Sequence, residues 1–408
     1  MNTRTKLFLL LLTALAVRVG WCWSVPVDEK AMARSLPDQW EYLQIGRHAL
    51  AGQGFSFFDF RFQQRLYAFR TPGYPAFIAI CGGSVRGVQM AQCAIDVSTA
   101  LATFLLARRW LNERASLLCA VAVGFNPFLV FFCALILTET LFTSLLVWAM
   151  VLLVRPVRFT TAGYVMAAVI LSFSVLVRPS ALGLPVLLGL GATIVANRSL
   201  RWLVLGAAAS VAITVLALLP WAARNRVTLD KWVWTATNSG FTFYDGFSPT
   251  ADGSSNQSFV AQMPELLQMN ETQRSVYLAT KARAWAVANP SASMRLAGRK
   301  LARTWSPVPL SSEFGRLRYV LIGSAYSVPL FLAATAAMFH RRISWRAKVF
   351  LLLPAIYFSG MQAMSVCSLR YRIPAEPMLV VLAASIFVAR RDEVTGTGSE
   401  SDLIARDF

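Results

Sequence analysis

Long apolar runs limit the fold of this chain more than any other feature of its sequence. About ten such runs recur within 408 residues, and several approach the roughly 20 residues that an α-helix needs to cross a bilayer. The runs are continuous rather than alternating, which disfavours a membrane β-barrel. Charged residues make up only 14% of the chain, whereas a soluble domain carries about 25%. The sequence therefore predicts an all-α polytopic membrane protein.

The short loops between the runs predict their orientation. A shorter run at 73–84 is expected to insert halfway or to precede the second span. The short basic connections share one side with the N-terminal Arg4 and Lys6, and short basic loops stay in the cytoplasm. Both termini of this multi-pass inner (plasma) membrane protein are therefore predicted to be cytoplasmic. The basic connections are 108–114, 155–158, 197–201 and 340–348. The predicted spans are 7–26, 88–107, 115–132, 137–154, 162–177, 180–196, 202–220, 319–339, 348–366 and 374–390.

The chain divides into a membrane domain and a short tail. The membrane domain is expected to cover residues 1–390, with two long external loops at about 27–72 and 221–318. The first run has basic residues before an apolar core but no small-residue cleavage site after it, so we interpret it as an uncleaved span. Residues 391–408 form a polar tail that is expected to be cytoplasmic and disordered.

Charge and cysteine content narrow the classes of function. The formal net charge of +19 is explained by basic residues in the loops of a membrane protein, so it does not require a nucleic-acid partner. The six cysteines fall mostly in apolar runs without metal or disulfide spacing, which is typical of small core residues. No phosphate-binding loop, dinucleotide fingerprint or zinc pattern is present. Only two histidines occur, which disfavours a Ser/His/Asp triad.

The second long loop has a composition with two interpretations. It is rich in Trp, Phe, Tyr, Asn and Gly near its start, which favours sugar binding but is also typical of an ordinary interfacial loop. Helices are predicted at 272–288 and 291–305. The second of these carries a basic stripe that we interpret as a contact with anionic lipid head groups.

A polar segment, LPDQWEYLQIGRHALAGQGF at 36–55, follows the first apolar run. Asp38 and Glu41 have the spacing of residues that cap a helix start, and Gly52 and Gly54 end the helix. Its apolar side predicts an amphipathic helix on the outer membrane surface; that side consists of Trp40, Leu43, Ile45 and Leu50. Asp38 is therefore either a simple cap or a functional carboxylate.

Other ionisable residues converge on the same predicted face. Each arginine taken alone has a simpler interpretation, which is snorkelling to lipid phosphates. Five of them at outer span ends run against the usual accumulation of basic residues inside. An external pocket of arginines and carboxylates would suit a phosphorylated lipid head group. The residues are Arg70, Glu139, Arg178, Arg224, Arg370, Arg372 and Glu376. Within the spans, Asp96 is interpreted as a polar contact between helices, and Arg18 as the same or as a pocket residue.

The order of these motifs resembles a known family. A first span with a late Arg is followed by the Asp-x-x-Glu-Tyr helix ending in GxGF, then by RTPGYP, LTETLF, VRPS, LPWAARN, TNSGFTFYDG and RYRIPAEP. The chain is similar to GT-C-type membrane glycosyltransferases, and most of all to bacterial proteins like protein O-mannosyltransferases and the aminoarabinose transferase of lipid A. The resemblance implies a polyprenyl-phosphate-linked sugar donor, used at the external (periplasmic) face with inversion at the anomeric carbon.

The resemblance also implies residue roles. Asp38 is the expected general base, Glu139 is a second acidic residue that is also expected to be catalytic, and Arg70 is a basic residue near the donor phosphate. The further candidates for substrate binding are Glu41, Arg178, Arg224, Asn225, Arg370 and Arg372. One departure leaves an alternative open: many relatives have Asp-Glu at the catalytic position, whereas Gln39 follows Asp38 here. The true Asp-Glu pair is Asp28-Glu29, so Asp28 is the reserve base.

Two other functions stay open at this point. One is a transporter or flippase of a lipid-linked glycan that uses the same basic pocket. The other is an enzyme like an O-antigen ligase or polymerase, which would use a diphosphate-linked donor. The expected partners are the donor lipid, an acceptor glycan, lipid or protein, and the bilayer, with no nucleic acid. No cofactor is required, although the carboxylates leave a divalent metal open.

Overall fold

The computed structural model describes residues 2–30, 32, 36–154, 160–308, 310 and 317–387. Helices dominate these residues, as the sequence predicts. The helices are α1 (Thr3–Ser24), α2 (Pro37–Leu50), α3 (Gly73–Ile80), α4 (Val85–Ala107), α5 (Glu113–Gly124), α6 (Pro127–Cys133), α7 (Glu139–Val154), α8 (Thr161–Val177), α9 (Leu184–Val195), α10 (Leu200–Leu229), α11 (Asn238–Gly246), α12 (Phe259–Gln262), α13 (Glu271–Ala288), α14 (Pro290–Thr304), α15 (Leu317–Phe339), α16 (Trp345–Ala363) and α17 (Glu376–Ala384). The predicted tail and the connection at 155–158 lie outside the described residues.

Several described helices are suited to a bilayer. The helices α1, α4, α10 and α15 are long and apolar enough to cross it. The pair α5 and α6 is a fifth candidate, bent by 47° at its break. Shorter apolar helices are α7, α8 and the segment Pro179–Val195. The chain is thus a helical membrane protein, while the count of about ten spans and the side of each loop stay predictions.

The bend between α5 and α6 corrects the predicted continuous span at 115–132. Asn126 ends the run because its side chain accepts hydrogen bonds from the amides of Phe128 and Leu129 and so caps a new helix. Pro127 has no amide hydrogen for a continuing helix. The short run at 73–84 does not extend the second span as one continuous helix. It forms the separate helix α3, and Gly82 and Gly83, both at positive φ, turn the chain into α4.

The main core lies between the apolar helices. Every residue of α17 is buried, so the last predicted span is a short helix inside the bundle. Arg18 and Asp96 form a fully buried pair at 2.5 Å between α1 and α4. That contact confirms the interpretation of Asp96 as a polar link between helices and gives Arg18 the same role.

The two long loops fold together. Residues 55–72 and 236–288, which we call the loop layer, share a second apolar core with Phe62, Leu66 and Phe241 at its centre. Residues 57–66 form a hairpin, β1 (Phe57–Asp59) and β2 (Gln64–Leu66), whose strands are antiparallel. This small sheet is the one described exception to the predicted all-α fold.

Candidate functional site

The first acidic residues of the site come from α2. This helix begins at Pro37, and Leu36 at the N-cap provides no side-chain hydrogen bond. Proline suits the first helical position because an amide hydrogen there would have no acceptor within the helix, so its absence costs nothing. The predicted capping role of Asp38 is therefore wrong: the residue lies inside the first turn, and its carboxylate binds arginines instead.

Packing corrects the prediction of an amphipathic helix lying on the membrane. Leu43 and Ile45 are buried, but so are Gln39 and Glu41, while Leu50 is 54% exposed. Both the polar and the apolar sides of α2 therefore pack against protein. The helix also approaches α3 closely, because a Cβ at Gly46 would lie 2.6 Å from Cγ2 of Ile78. A glycine here therefore lets α2 and α3 pack in close contact.

Asp38 lies between two arginines from distant parts of the chain. Its Oδ1 accepts from Nη2 of Arg70 at 2.6 Å, and its Oδ2 accepts from Nη2 of Arg370 at 2.9 Å. Arg70 precedes α3, and Arg370 belongs to the short 3₁₀ helix Leu369–Tyr371 before α17. The Asp38 side chain is still 25% exposed. The carboxylate is thus bridged but open on one side.

The network continues inward to Glu139 at the start of α7. Its Oε1 accepts from Nη2 of Arg178 at 2.6 Å and lies 3.7 Å from Nε of Arg370. The ring of Tyr371 contacts both guanidinium groups, with centroid distances of 5.4 Å for Arg178 and 5.0 Å for Arg370. Glu139 is only 1% exposed, and its Oε2 has no hydrogen-bond partner among the described residues.

The network also continues outward through the β1–β2 hairpin. Glu41 binds Nη2 of Arg70 at 2.5 Å and Nη2 of Arg61 at 2.7 Å, and Arg61 in turn binds Asp59 at 2.6 Å. Sequence reasoning did not single out Arg61 or Asp59. The available signal was an oppositely charged pair inside the aromatic stretch FSFFDFRF. We call these eight residues the charge network: Asp38, Glu41, Asp59, Arg61, Arg70, Glu139, Arg178 and Arg370.

Electrostatics separate the two acids of α2. Burial alone would raise the pKa of Asp38, but attraction from Arg70 and Arg370 outweighs it and holds the pKa well below its usual range. Burial raises the pKa of Glu41, against the attraction of Arg70 and Arg61. Asp38 is therefore the acid of this helix that is firmly ionised.

Three predicted site residues have other partners. Arg224 donates to the carbonyls of Tyr67 and Phe55, so it anchors the loop layer rather than joining the charge network. Asn225 donates to the carbonyl of Val233 at 2.9 Å. Arg372 is fully buried and pairs with Glu376 at 3.0 Å. The two residues are one helical turn apart in sequence, a spacing that favours such an ion pair.

The reserve base occupies a different position. Asp28 is exposed, and its Oδ1 accepts from the amide of Lys30 at 2.9 Å. Its neighbour Glu29 pairs with Arg47 at 2.6 Å. The Asp28-Glu29 pair therefore lies outside the charge network.

Glutamines hold the chain break that presents Glu139. Residues 134–138 between α6 and α7 are non-helical. Gln39 accepts from the amide of Ile136 at 2.7 Å. Gln92 donates to the carbonyls of Cys133 and Leu135, both at 2.9 Å, and Gln89 donates to that of Ala134 at 2.7 Å. Sequence reasoning missed this role of the glutamines, although two of them in the apolar run VQMAQC are a usable signal.

A metal centre is not evident in the described ranges. No group of three or more His, Cys, Asp or Glu side chains there is placed to hold an ion. The carboxylates of the charge network are instead paired with arginines. The expectation of a reaction without cofactor stays a prediction.

Comparison with solved structures identifies the fold. The chain matches the oligosaccharyltransferase AglB of Archaeoglobus fulgidus, in complex with an inhibitory peptide and a dolichol-phosphate, with a TM-score of 0.54 and 15% identity over 94% of this chain. Structures of the same enzyme tethered with an acceptor peptide, and in complex with Zn and sulfate, match with TM-scores of 0.53 at 15% and 16% identity. They cover 93% and 92% of this chain.

The likeness is one of fold. The chain spans about half the length of the archaeal enzyme, with 49% to 50% covered. No protein-family profile matches the chain, and no curated protein matches it. The predicted resemblance to GT-C-type membrane glycosyltransferases is therefore confirmed at the level of architecture, and the activity has to be argued from the site.

Proposed function

We propose that this protein is a membrane glycosyltransferase. It would move a sugar from a polyprenyl-phosphate donor to an acceptor hydroxyl at the external face of the membrane. The observation that carries the proposal is the placement of Asp38, a partly open carboxylate between arginines 32 and 332 residues away in sequence. A positioned general base beside guanidinium groups suits transfer from a phosphate leaving group, because the base accepts the acceptor proton and the arginines stabilise the charge that develops on the phosphate.

The proposed step is a single inverting displacement. The acceptor oxygen forms a bond to the anomeric carbon while the bond from that carbon to the donor phosphate oxygen breaks. The acceptor proton passes to the carboxylate of Asp38, and the electron pair of the broken bond leaves with the polyprenyl phosphate. Because attack comes from the side opposite the leaving group, the anomeric configuration inverts.

The arginines stabilise the leaving group. Arg70 and Arg370 lie beside the base, and a guanidinium group binds phosphate oxygens bidentately while staying charged. Glu139, which is buried on the inner side of the network, holds Arg370 and Arg178 in position through its ion pairs. In this proposal it does not touch the reacting atoms. Arg224, Asn225 and Arg372 are assigned structural roles here because their side chains are committed to backbone or to Glu376.

The archaeal neighbour supports the class of donor. Dolichol-phosphate is a polyprenyl phosphate, and it is present in one of the matching structures. In another, an acceptor peptide is tethered to that enzyme via a disulfide bond, which supports glycosyl transfer to an acceptor.

The test compares two aspartates in a strain that lacks the gene. Asp38→Asn should reduce the sugar modification of the cell surface by about 100-fold or more, the usual size of a general-base effect, and should leave the polyprenyl-phosphate sugar to accumulate. Asp28→Asn is the matched control and should restore the wild-type glycan. Mass spectrometry of lipid-linked sugars and surface glycans gives both readouts, with protein amounts compared by immunoblot.

The same experiment separates the alternatives. A wild-type level of modified glycan in the Asp38→Asn strain would contradict the enzyme and favour a transporter of a lipid-linked glycan. Loss of modification in Asp28→Asn alone would move the base to that residue. Accumulation of a diphosphate-linked glycan, with no change in monophosphate-linked sugars, would point to a ligase- or polymerase-like reaction.

A further inference from the structure

The charge network is balanced without any substrate. Four carboxylates and four guanidinium groups alternate in ion pairs that run from Asp59 to Arg178. A bound phosphodiester would add a negative charge to this balanced set. Buried like charges repel strongly. The free-energy cost of adding the phosphodiester charge therefore falls if one carboxylate moves away and leaves its arginine partners to the phosphate.

Exposure identifies the carboxylate that can move. The side chains of Glu41, Asp59 and Glu139 are 6%, 2% and 1% exposed, whereas that of Asp38 is 25% exposed. Glu41 is further fixed by Arg70 and Arg61, and Asp59 accepts from the backbone amide of Arg61 at 2.8 Å. Of the four acids, Asp38 is thus the one whose carboxylate can leave its arginine partners for solvent at the lowest free-energy cost.

We propose that Asp38 is the internal placeholder for the donor phosphate. The inference rests on the proposed function and adds its regulation: the phosphate of the donor takes over Arg370 and Arg70, and Asp38 turns toward the acceptor. Without donor, both oxygens of the base are occupied by guanidinium groups. With donor bound, the base is released next to the anomeric carbon. Binding of the donor lipid therefore activates the general base. Without donor, the arginines hold Asp38, so that it does not take protons from acceptors.

Removal of the placeholder charge should strengthen phosphate binding. The Asp38→Asn variant, in lipid nanodiscs, should bind farnesyl phosphate about threefold to tenfold more tightly than the wild type, as expected for the loss of a competing, partly exposed ion pair. This direction is opposite to that of a residue that merely helps to bind the donor. Binding is measured by titration with the lipid phosphate, since no turnover is needed.

A matched variant controls for long-range charge. Glu265→Gln removes one negative charge from a partly exposed site in the loop layer and should leave the affinity for farnesyl phosphate unchanged. Equal or weaker binding by Asp38→Asn, with a thermal unfolding profile like that of the wild type, would overturn the inference. If the wild type transfers sugar but this result is obtained, only the inference fails. If the wild type binds no prenyl monophosphate, the proposed function fails with it.

A kinetic measurement on the unmodified protein gives an independent test. The pH dependence of kcat/KM for the donor reports the donor-free enzyme, whereas that of kcat reports the donor-bound enzyme. Asp38 pairs with Arg70 and Arg370. Arg70 also contacts Glu41 and Tyr42, and Arg370 also contacts Glu139, which pairs with Arg178. Loss of the two arginines to phosphate should place the acid limb of kcat about one pH unit or more above that of kcat/KM. Coincident limbs would contradict the displacement of Asp38.

Discussion

Arg370 and Arg372 show how differently two neighbouring residues of one motif can be used. Arg370 is partly exposed and reaches Asp38, whereas Arg372 is fully buried with Glu376 and Ser327. Arg370 lies within the 3₁₀ turn Leu369–Tyr371, whereas Arg372 lies between that turn and the next one, Ile373–Ala375, and the two side chains reach different partners. At the scale of residues, sequence could name both arginines as candidates, but only packing distinguishes the site residue from the structural one.

Lys300 provides a prediction at the same scale. Its side chain is fully buried in α14, with Nζ 3.6 Å from the ring centroid of Phe247 and 3.4 Å from the carbonyl of Ala363. Burial lowers the pKa of Lys300 to about 8, below that of the unfolded chain. The unfolded state therefore binds more protons between the two pKa values, and stability rises with pH from about 8 to 10.4.

The change tested is Lys300→Met. The thermal midpoint of the wild type should rise by about 2–4 °C relative to this variant between pH 7 and pH 10, because only the wild type loses the cost of a buried ammonium group. Lys231→Met removes an exposed lysine and should show no such relative shift. Parallel curves for the wild type and Lys300→Met would show that the buried amine does not titrate in this range.

At the scale of elements, sequence predicted where helices lie better than where they break. Continuous apolar runs predicted α4, α7, α8 and α10 because span length and composition are local properties. The break at Asn126 and the hairpin at 57–66 were missed. Both features depend on side chains that bond to backbone or to distant residues. The apolar composition of the surrounding sequence gave no sign of either feature. The bent pair of α5 and α6 is the clearest case, since its residues read as one span.

The break before α7 makes a testable contribution to the site. Gln39→Ala removes the acceptor for the buried amide of Ile136, which costs about 1–3 kcal/mol and lets the start of α7 shift. Because Glu139 orients Arg178 and Arg370, we expect kcat for sugar transfer to fall by about tenfold or more, with a smaller change in KM for the donor. Initial rates with the reconstituted protein measure both.

The conservative control is Gln39→Glu. A carboxylate can accept the same hydrogen bond, and the resemblance to relatives with Asp-Glu at this position supports its tolerance. The Glu variant should therefore recover most of the lost kcat. A Glu variant as slow as the Ala variant would show that Gln39 does not act through the amide of Ile136.

At the scale of the molecule, the pairing of the two long loops lay beyond sequence reasoning. Their contacts join positions about 200 residues apart, such as Tyr67 with Glu271, and no local pattern predicts such partners. Sequence did place most of the site on one face, because short basic loops indicate orientation. Six of its nine candidates belong to the charge network, and packing excluded Arg224, Asn225 and Arg372.

Glu271 tests how strongly the loops depend on each other. Its carboxylate accepts from the amides of Tyr67 and Ala68, both at 3.1 Å, and so joins α13 to the strand that leads into Arg70. Glu271→Ala removes the acceptor for both amides, and the loss at the buried amide of Ala68 alone costs about 1–3 kcal/mol. We expect faster hydrogen exchange at residues 66–70 and faster proteolysis of the loop layer. Exchange is followed by mass spectrometry.

The partly exposed Glu265 supplies the comparison. Glu265 lies in the same layer, and its carboxylate accepts from the hydroxyl of Tyr277 and pairs with Lys281, so Glu265→Ala removes no acceptor from residues 66–70. It should leave exchange at residues 66–70 unchanged. Equal exchange rates in Glu271→Ala and the wild type would mean that the loops stay joined through their apolar core alone.

The separation of Asp38 and Arg370 along the chain has a consequence for biogenesis. A ribosome that has reached residue 300 has made all four carboxylates of the network but only three of its guanidinium groups. The nascent protein then carries a surplus negative charge where the donor phosphate would lie. Under the proposed function, the donor site therefore has its full set of guanidinium groups only after Arg370 has been synthesised, late in translation of the membrane domain.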